Sequence, residues 1–178
     1  MKFLKYIFLL LILLFLSFIL YTYLTPPASP KGESSYTLNN KEYKVEYSRP
    51  YKKNRLIFGS KNDGALVPFN EYWRTGANFS TDLTVSDSFY FGDKLIEKGS
   101  YWMYTIPGVD SWDVFLNSKS GSFAFFEPDK SNDVVAIKVK SFLIENELEQ
   151  LTIDFIEVDN KLNLRLLWDK TGISIPVN

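Results

Sequence analysis

The 178-residue chain contains no cysteine and no histidine. Without cysteine there is no disulfide, no thiolate metal ligand and no sulfur nucleophile. With histidine missing as well, most zinc sites are excluded, and so are the Ser-His-Asp and Cys-His catalytic arrangements. Imidazole is the side chain that ordinarily changes charge between pH 5 and 8, so its absence predicts behaviour that varies little across that window. An excess of either charge is missing too, since 20 Lys and Arg face 21 Asp and Glu. Such a chain lacks the basic surplus of a nucleic-acid binder, and nucleic acid is not expected as a partner. No cofactor or metal ion is expected either. Past the N-terminus no stretch of helical period is long enough for the crossover helix of a parallel sheet. Ile144 to Gln150 is the one soft helical candidate, and it is too short to matter.

What the chain does have is a long charge-free run. Tyr6 to Leu24 carries no charged side chain, and Lys2 and Lys5 precede it. At helical rise these residues cover about 28 Å, close to the thickness of a bilayer's hydrocarbon core. Ser17 and Thr22 can bond back to a carbonyl one turn earlier. Tyr21 and Tyr23 suit the headgroup layer at the far end. The two lysines favour a cytoplasmic N-terminus, with the remainder outside that membrane, periplasmic or on the cell surface. A cleaved signal is the competing reading. It needs a shorter apolar region and a small-residue site, and here large aromatics stand in that place and Pro30 follows Ala28-Ser29. A buried core helix is the third. The expected organisation is an anchor over residues 1–24, a Pro/Ser linker over 25–35 and a single β-rich domain over 36–178. The linker should be extended and flexible. With Lys2 and Lys5 set aside, 18 basic residues face 21 acidic ones, so the outer domain is mildly acidic. A domain of this size buries about two-thirds of its unfolded surface and needs no staples.

Period-two alternation dominates the rest. Tyr43 to Tyr47, Leu83 to Val85 and Phe89 to Phe91 read as strands. Gly92-Asp93 is a tight turn into Lys94-Leu95-Ile96. Gly99 opens the aromatic strand Tyr101 to Ile106, which Pro107-Gly108 ends. Trp112 to Leu116, Val135 to Val139, Leu151 to Phe155, Leu162 to Trp168 and Ile173 to Ile175 follow, with Asp159-Asn160 as a turn. Eight to eleven short strands predict an all-β fold, an antiparallel β-sandwich or a jelly-roll-like barrel, preceded by one transmembrane helix.

Several stretches carry a resemblance. They are Tyr47-Ser48-Arg49-Pro50, Arg55-Leu56-Ile57-Phe58-Gly59, Leu66-Val67-Pro68-Phe69, Trp73-Arg74-Thr75-Gly76-Ala77-Asn78 and Thr105-Ile106-Pro107-Gly108. In this order they resemble the bacterial family catalogued as domain of unknown function 2911. Glu97 to Tyr101, Leu166-Leu167-Trp168 and Ile175-Pro176 fit the same pattern, so the resemblance runs from about Tyr43 to Pro176. It implies an envelope protein with one β-rich domain, and it implies no activity. Ser118 to Phe126 departs from the Trp-Gly-containing segment that the family has there.

Trp73, Arg74 and Asn78 form the leading candidate site. Trp offers a flat apolar face, Arg a planar five-donor fork, and Asn both donors and acceptors. Gly76 and Ala77 let a ligand approach the backbone. Such a set suits a carboxylate, a phosphate or a sugar. The plainer alternative has Trp73 in the core, Arg74 paired with Glu71 or Asp82, and Gly76 to Asn78 as a tight turn. Arg49 and Arg55, with Lys52 and Lys53, extend an anion site if they fold beside Arg74. Otherwise they make a solvated turn, or lie on anionic headgroups near the anchor. Asp110 with Asp113, and Glu127 with Asp129 and Asp133, are the carboxylate groups to test for glycoside cleavage or calcium, against a plain role as turn residues. Asn78-Phe79-Ser80 matches a glycosylation sequon, a pattern common by chance.

Two function classes follow. One is a binding or structural module of the cell envelope, taking an anionic or glycan ligand and held by residues 6–24. The other is a carboxylate-dependent hydrolase acting on an envelope glycan. Two carboxylates about 5–10 Å apart in an aromatic-lined cleft would favour the second.

Overall fold

The computed structural model describes residues 2–178; Met1 and the Lys2 side chain, half of the basic flank read above, lie outside the described residues. The chain opens with helix α1 (Lys2–Leu24). At 1.5 Å per residue it is about 34 Å long. Ser17 Oγ donates to the Leu14 carbonyl at 2.8 Å, and Thr22 Oγ1 does the same to Ile19 at 2.8 Å. None of its apolar span is buried against the rest of the protein. That removes the core-helix reading and leaves a membrane anchor or a signal peptide.

Eleven strands follow: β1 (Lys31–Leu38), β2 (Lys41–Ser48), β3 (Phe58–Gly59), β4 (Val67–Pro68), β5 (Thr81–Val85), β6 (Phe89–Phe91), β7 (Lys94–Ile96), β8 (Gly99–Ile106), β9 (Ser111–Asn117), β10 (Asp133–Val158) and β11 (Lys161–Pro176). β1 begins at Lys31, within the stretch read as linker, so six residues separate it from α1. The main sheet has the order β1-β2-β5-β8-β9-β10-β11, and all its pairings are antiparallel. The fold is all-β with an N-terminal helix, as the alternation indicates.

The sheet curls until its ends nearly meet. β10 changes partner along its length. Asp133 to Lys140 pairs with β9, and Ser141 to Val158 pairs with β11. Register shifts between Leu143 and Thr152 bend it between these tasks, as bulges do. The soft helical candidate Ile144 to Gln150 lies in this irregular part of the strand. The second half of β10 then reaches the β1–β2 edge. Tyr36 donates to Glu157 at 2.7 Å, and the Ile153 amide donates to the Tyr47 hydroxyl at 2.8 Å. Just beyond β2, Leu151 N–H bonds the Pro50 carbonyl and Lys52 N–H bonds that of Glu149. β6 closes another gap by bonding to the C-terminal residues through Tyr90 and Asn178.

Period two puts one face of each strand inside. Tyr43, Val45 and Tyr47 from β2, Trp112, Val114 and Leu116 from β9, and Leu162, Leu164 and Leu166 from β11 are all buried in one core. β8 is buried on both faces. Its outer face carries Trp102 and Tyr104, which pack under Ala124 with Tyr72 and Phe115. The long β9–β10 connection covers that face, which explains the unbroken apolar run Tyr101 to Tyr104 in β8.

Candidate ligand-binding cleft

A cleft of about 460 Å³ opens beside the start of β1. That volume falls in the range of small-ligand sites. The sequence makes its walls in pieces. Pro50, Lys53 and Arg55 come from the turn after β2, Leu66 and Val67 from the β3–β4 ribbon, and Tyr72 to Arg74 with Gly76 to Asn78 from the segment before β5. Trp168 comes from β11, and Ala28 and Ser29 come from the connection to α1.

The floor is aromatic. Trp73 and Trp168 stack with centroids 5.9 Å apart and planes 20° off parallel. Trp112 and Phe58 support them from within the core. Trp73 is held by reciprocal backbone bonds with Thr105 of 2.8 and 3.0 Å. It therefore serves as a core residue and as a cleft wall together.

The backbone after Trp73 is contorted. Thr75 has φ +60° and Asn78 has φ +63°. A β-branched residue is rarely found in that region, and it persists only where its surroundings impose it. Here Thr75 Oγ1 lies 3.0 Å from Thr105 Oγ1, and Thr81 Oγ1 donates to the Thr75 carbonyl at 2.6 Å. Between them Gly76 has φ +152°, and a Cβ on it would sit 3.0 Å from the Ser48 carbonyl oxygen. The close approach to β2 and the unusual dihedral both call for glycine.

Charge is one-sided. Among the described residues Lys53, Arg55 and Arg74 line the cleft and no Asp or Glu does, while Glu149 accepts from the Lys53 amide at 2.8 Å just outside it. Among the described residues Arg74 has no ion-pair partner. Its two expected partners are engaged elsewhere: Glu71 pairs with Lys61 at 2.8 Å, and Asp82 accepts from the Gly121 amide at 2.8 Å. Arg55 is oriented by its own turn, donating to the carbonyls of Lys52 and Tyr51. Lys53 sits at the tip of that turn, where it and Asn54 both have positive φ.

Not all of the basic run faces the cleft. Arg49 donates to the Leu151 carbonyl at 3.1 Å and to Thr152 Oγ1 at 3.4 Å, clamping β2 to β10. Lys52 pairs with Glu147 at 2.8 Å and with Asp169 at 2.7 Å. The structure thus brings Trp73, Arg74, Asn78 and Arg55 together and sets Arg49 apart.

Sequence reasoning missed Tyr72 and Trp168 as wall residues. The Tyr72 hydroxyl is buried without a hydrogen-bond partner among the described residues. Burial pushes its pKa up to about 12, so it stays a neutral donor. Alternation in β11 marks Trp168 as inward-facing. Nothing local in the sequence says that it meets Trp73.

The carboxylate candidates Asp113, Asp129 and Asp133 have structural work. Asp113 pairs with Lys138 at 3.1 Å. Asp129 caps a short 3-10 turn by accepting from the Ser131 amide at 2.9 Å, which holds its carboxyl below the usual range. Asp133 accepts from Tyr104 at 2.6 Å and from Asn117 at 2.7 Å. Glu127 lies 3.8 Å from Lys130. Among the described residues no cluster of acidic side chains is arranged to hold a metal ion.

No curated protein and no solved structure matches the chain. A family model described as Protein of unknown function (DUF2911) matches residues 29–177. That span takes in every strand of the sheet and all of the cleft except Ala28, and so the chain belongs to the family of domain of unknown function 2911.

Proposed function

We propose that this protein is a membrane-anchored, extracytoplasmic binding module of the bacterial envelope, and that its cleft takes an acidic glycan or a similar anion with a flat apolar face. α1 is the anchor, with its N-terminus in the cytoplasm. The observation that carries the ligand class is a cleft lined by Lys53, Arg55 and Arg74 and by no carboxylate. Guanidinium forks bind carboxylate and phosphate groups through paired N–H donors. Exposed Leu66 and half-buried Tyr72, backed by the buried Trp73–Trp168 pair, supply an apolar wall against which a sugar ring or another flat group can lie. Asn78 adds an amide at the rim.

The hydrolase alternative finds no support in this cleft, because its mechanism needs two carboxylates facing one bond. The lining offers none.

The test is a titration of the full-length protein in nanodiscs with uronate-containing, phosphorylated and neutral oligosaccharides. Tryptophan emission reports binding, since two indoles form the floor. Acidic oligosaccharides should shift the emission and neutral ones of equal length should not. Arg74→Ala should weaken the acidic ligand at least about tenfold, or about 1.4 kcal/mol. Equal binding of neutral and acidic sugars, or an unchanged affinity in Arg74→Ala, would refute the proposal.

A further inference from the structure

The β9–β10 connection, together with Phe79 from the segment before β5, displays phenylalanines to solvent, and its backbone is held between Gly121 and Ala124. Phe79, Phe123, Phe125 and Phe126 are 51%, 61%, 63% and 77% exposed. They form a continuous ridge. Phe79 meets Phe123 edge-on at 5.3 Å, Phe123 stacks on Phe125 at 6.3 Å, and Phe125 meets Phe126 at 5.0 Å. Beneath the ridge the loop is pinned. Gly121 N–H bonds Asp82, Ser80 N–H bonds the Ser122 carbonyl at 2.9 Å, and Ala124 N–H bonds the Asn78 carbonyl at 3.0 Å. Buried Ala124 anchors it against Trp102 and Tyr104. Phe79 and Phe123 are therefore carried by backbone bonded across the two segments, and Phe125 and Phe126 follow directly after the anchored Ala124. A contiguous apolar patch of this kind marks an interaction surface.

Its position identifies the occupant. Phe79 shares a surface depression with Lys31, the first residue of β1. Asn78, next to it, shares the cleft with Ala28 and Ser29. The ridge thus stands at the end of the sheet where the chain arrives from α1. Only Thr25 to Pro30 separate the two elements, which limits the separation to about 20 Å even when fully extended. The Pro30 carbonyl is already bonded to the Arg49 amide at 2.8 Å, so the usable tether is shorter still. At the opposite end of β1 and β2, Asn39-Asn40 and Asp159-Asn160 form polar turns.

Resting on the reading of α1 as a membrane anchor, we propose that Phe79, Phe123, Phe125 and Phe126 seat in the headgroup–acyl boundary of the leaflet from which α1 emerges. Aromatic rings partition into that layer, and exposed Lys31, which shares the depression with Phe79, suits its phosphates. This second contact would fix the domain's orientation and turn the cleft mouth towards the membrane surface.

The native chain has no cysteine, so single-cysteine probes read out cleanly. Full-length Phe125→Cys, Phe126→Cys, Leu14→Cys and Lys161→Cys are each labelled with an environment-sensitive fluorophore and reconstituted in phosphatidylcholine–phosphatidylglycerol vesicles. Quenching by brominated acyl chains is compared with quenching by aqueous iodide. The probes at 125 and 126 should be quenched by bromolipid at least threefold more than the probe at 161. The probe at 14 should be quenched most. If position 14 is quenched while 125 and 126 behave like 161, the ridge contact is wrong and the anchor stands. Should position 14 be unquenched by bromolipid, the anchor reading falls and the inference with it. Shielding of 125 and 126 from iodide without bromolipid quenching would mean a protein partner on the ridge, and that also overturns the lipid contact. Far-UV circular dichroism identifies any variant that misfolds, and the two ridge positions back each other up.

Discussion

Two aromatic groups lie on either side of the Trp73–Asn78 segment, and they are built on opposite terms. Trp73, Trp112, Trp168 and Phe58 converge from four separate parts of the chain into the core. Phe79, just before β5, and Phe123, Phe125 and Phe126, in the β9–β10 connection, are held outward. The first group gains its stability from burial, and its stacked pair lies beneath the cleft with Trp73 7% and Trp168 1% exposed. The second contributes little to folding and exposes apolar surface that must be covered by something else. Similar side chains are therefore buried for stability in one place and held at the surface in the other, and the backbone that carries them makes the difference.

The largest expected effect separates the two groups by stability. Trp168→Ala should cost about 3–5 kcal/mol, as deletions of large buried aromatics do, and calorimetry would show a lowered Tm. Phe126→Ser should stay within about 0.5 kcal/mol of the parent protein, as surface changes do. Equal losses would erase the contrast.

Next comes the strained link between the groups. Gly76→Ala should cost about 1–3 kcal/mol, because a Cβ meets the Ser48 carbonyl and the dihedral disfavours it. Chemical denaturation measures this directly. A neutral result would show that the segment relaxes, and that the cleft wall is softer than its contacts suggest.

A third comparison sets two arginines of the basic run against each other. Arg49→Ala should lose about 1–2 kcal/mol of stability through its lost β10 bonds, while ligand affinity stays within about twofold. Arg74→Ala should do the reverse, losing affinity and leaving the Tm nearly unchanged.

The smallest effects are those of pH. Asp82 supports the ridge loop through Gly121, and burial raises its pKa. A raised acid binds its proton more tightly in the folded state. Stability due to this group therefore falls as pH rises from the unfolded pKa through the folded one, and is flat above. Asp82→Asn should remove that slope and be slightly the more stable protein at neutral pH. Ligand affinity itself should stay flat between pH 6 and 8, since the chain has no imidazole. A midpoint near 6.5 in a binding titration would contradict this.

Much of the fold is legible in the chain because strand alternation is a local property. Tyr43 to Tyr47, Gly99 to Ile106 and Trp112 to Leu116 lie within β2, β8 and β9. Val135 to Val139 and Leu151 to Phe155 read as separate strands, yet they are parts of the single strand β10. The bulged stretch between them breaks the period of two, so alternation could not join them. Leu162 to Trp168 and Ile173 to Ile175 are likewise one strand, β11. Asp169, at φ +56°, interrupts that pattern. For the cleft, Trp73, Arg74, Asn78 and Arg55 were nameable as residue types suited to an anion. Trp168 was not, because it lies 95 positions from Trp73 and the two meet only when β11 folds back over the core.

From its residues alone the chain establishes an apolar N-terminal helix, a sheet-built domain and a chemistry without thiol or imidazole, since each depends on composition or on neighbours a few positions apart. Which arginine faces the cleft, which tryptophans make its floor and which phenylalanines stay outside depended on the curl of the sheet. That curl comes from contacts more than a hundred residues apart, such as the Ile153 amide on the Tyr47 hydroxyl, and from where β10 bends. Contacts at such separations are set by the closing of the whole sheet, and no short window of sequence contains them.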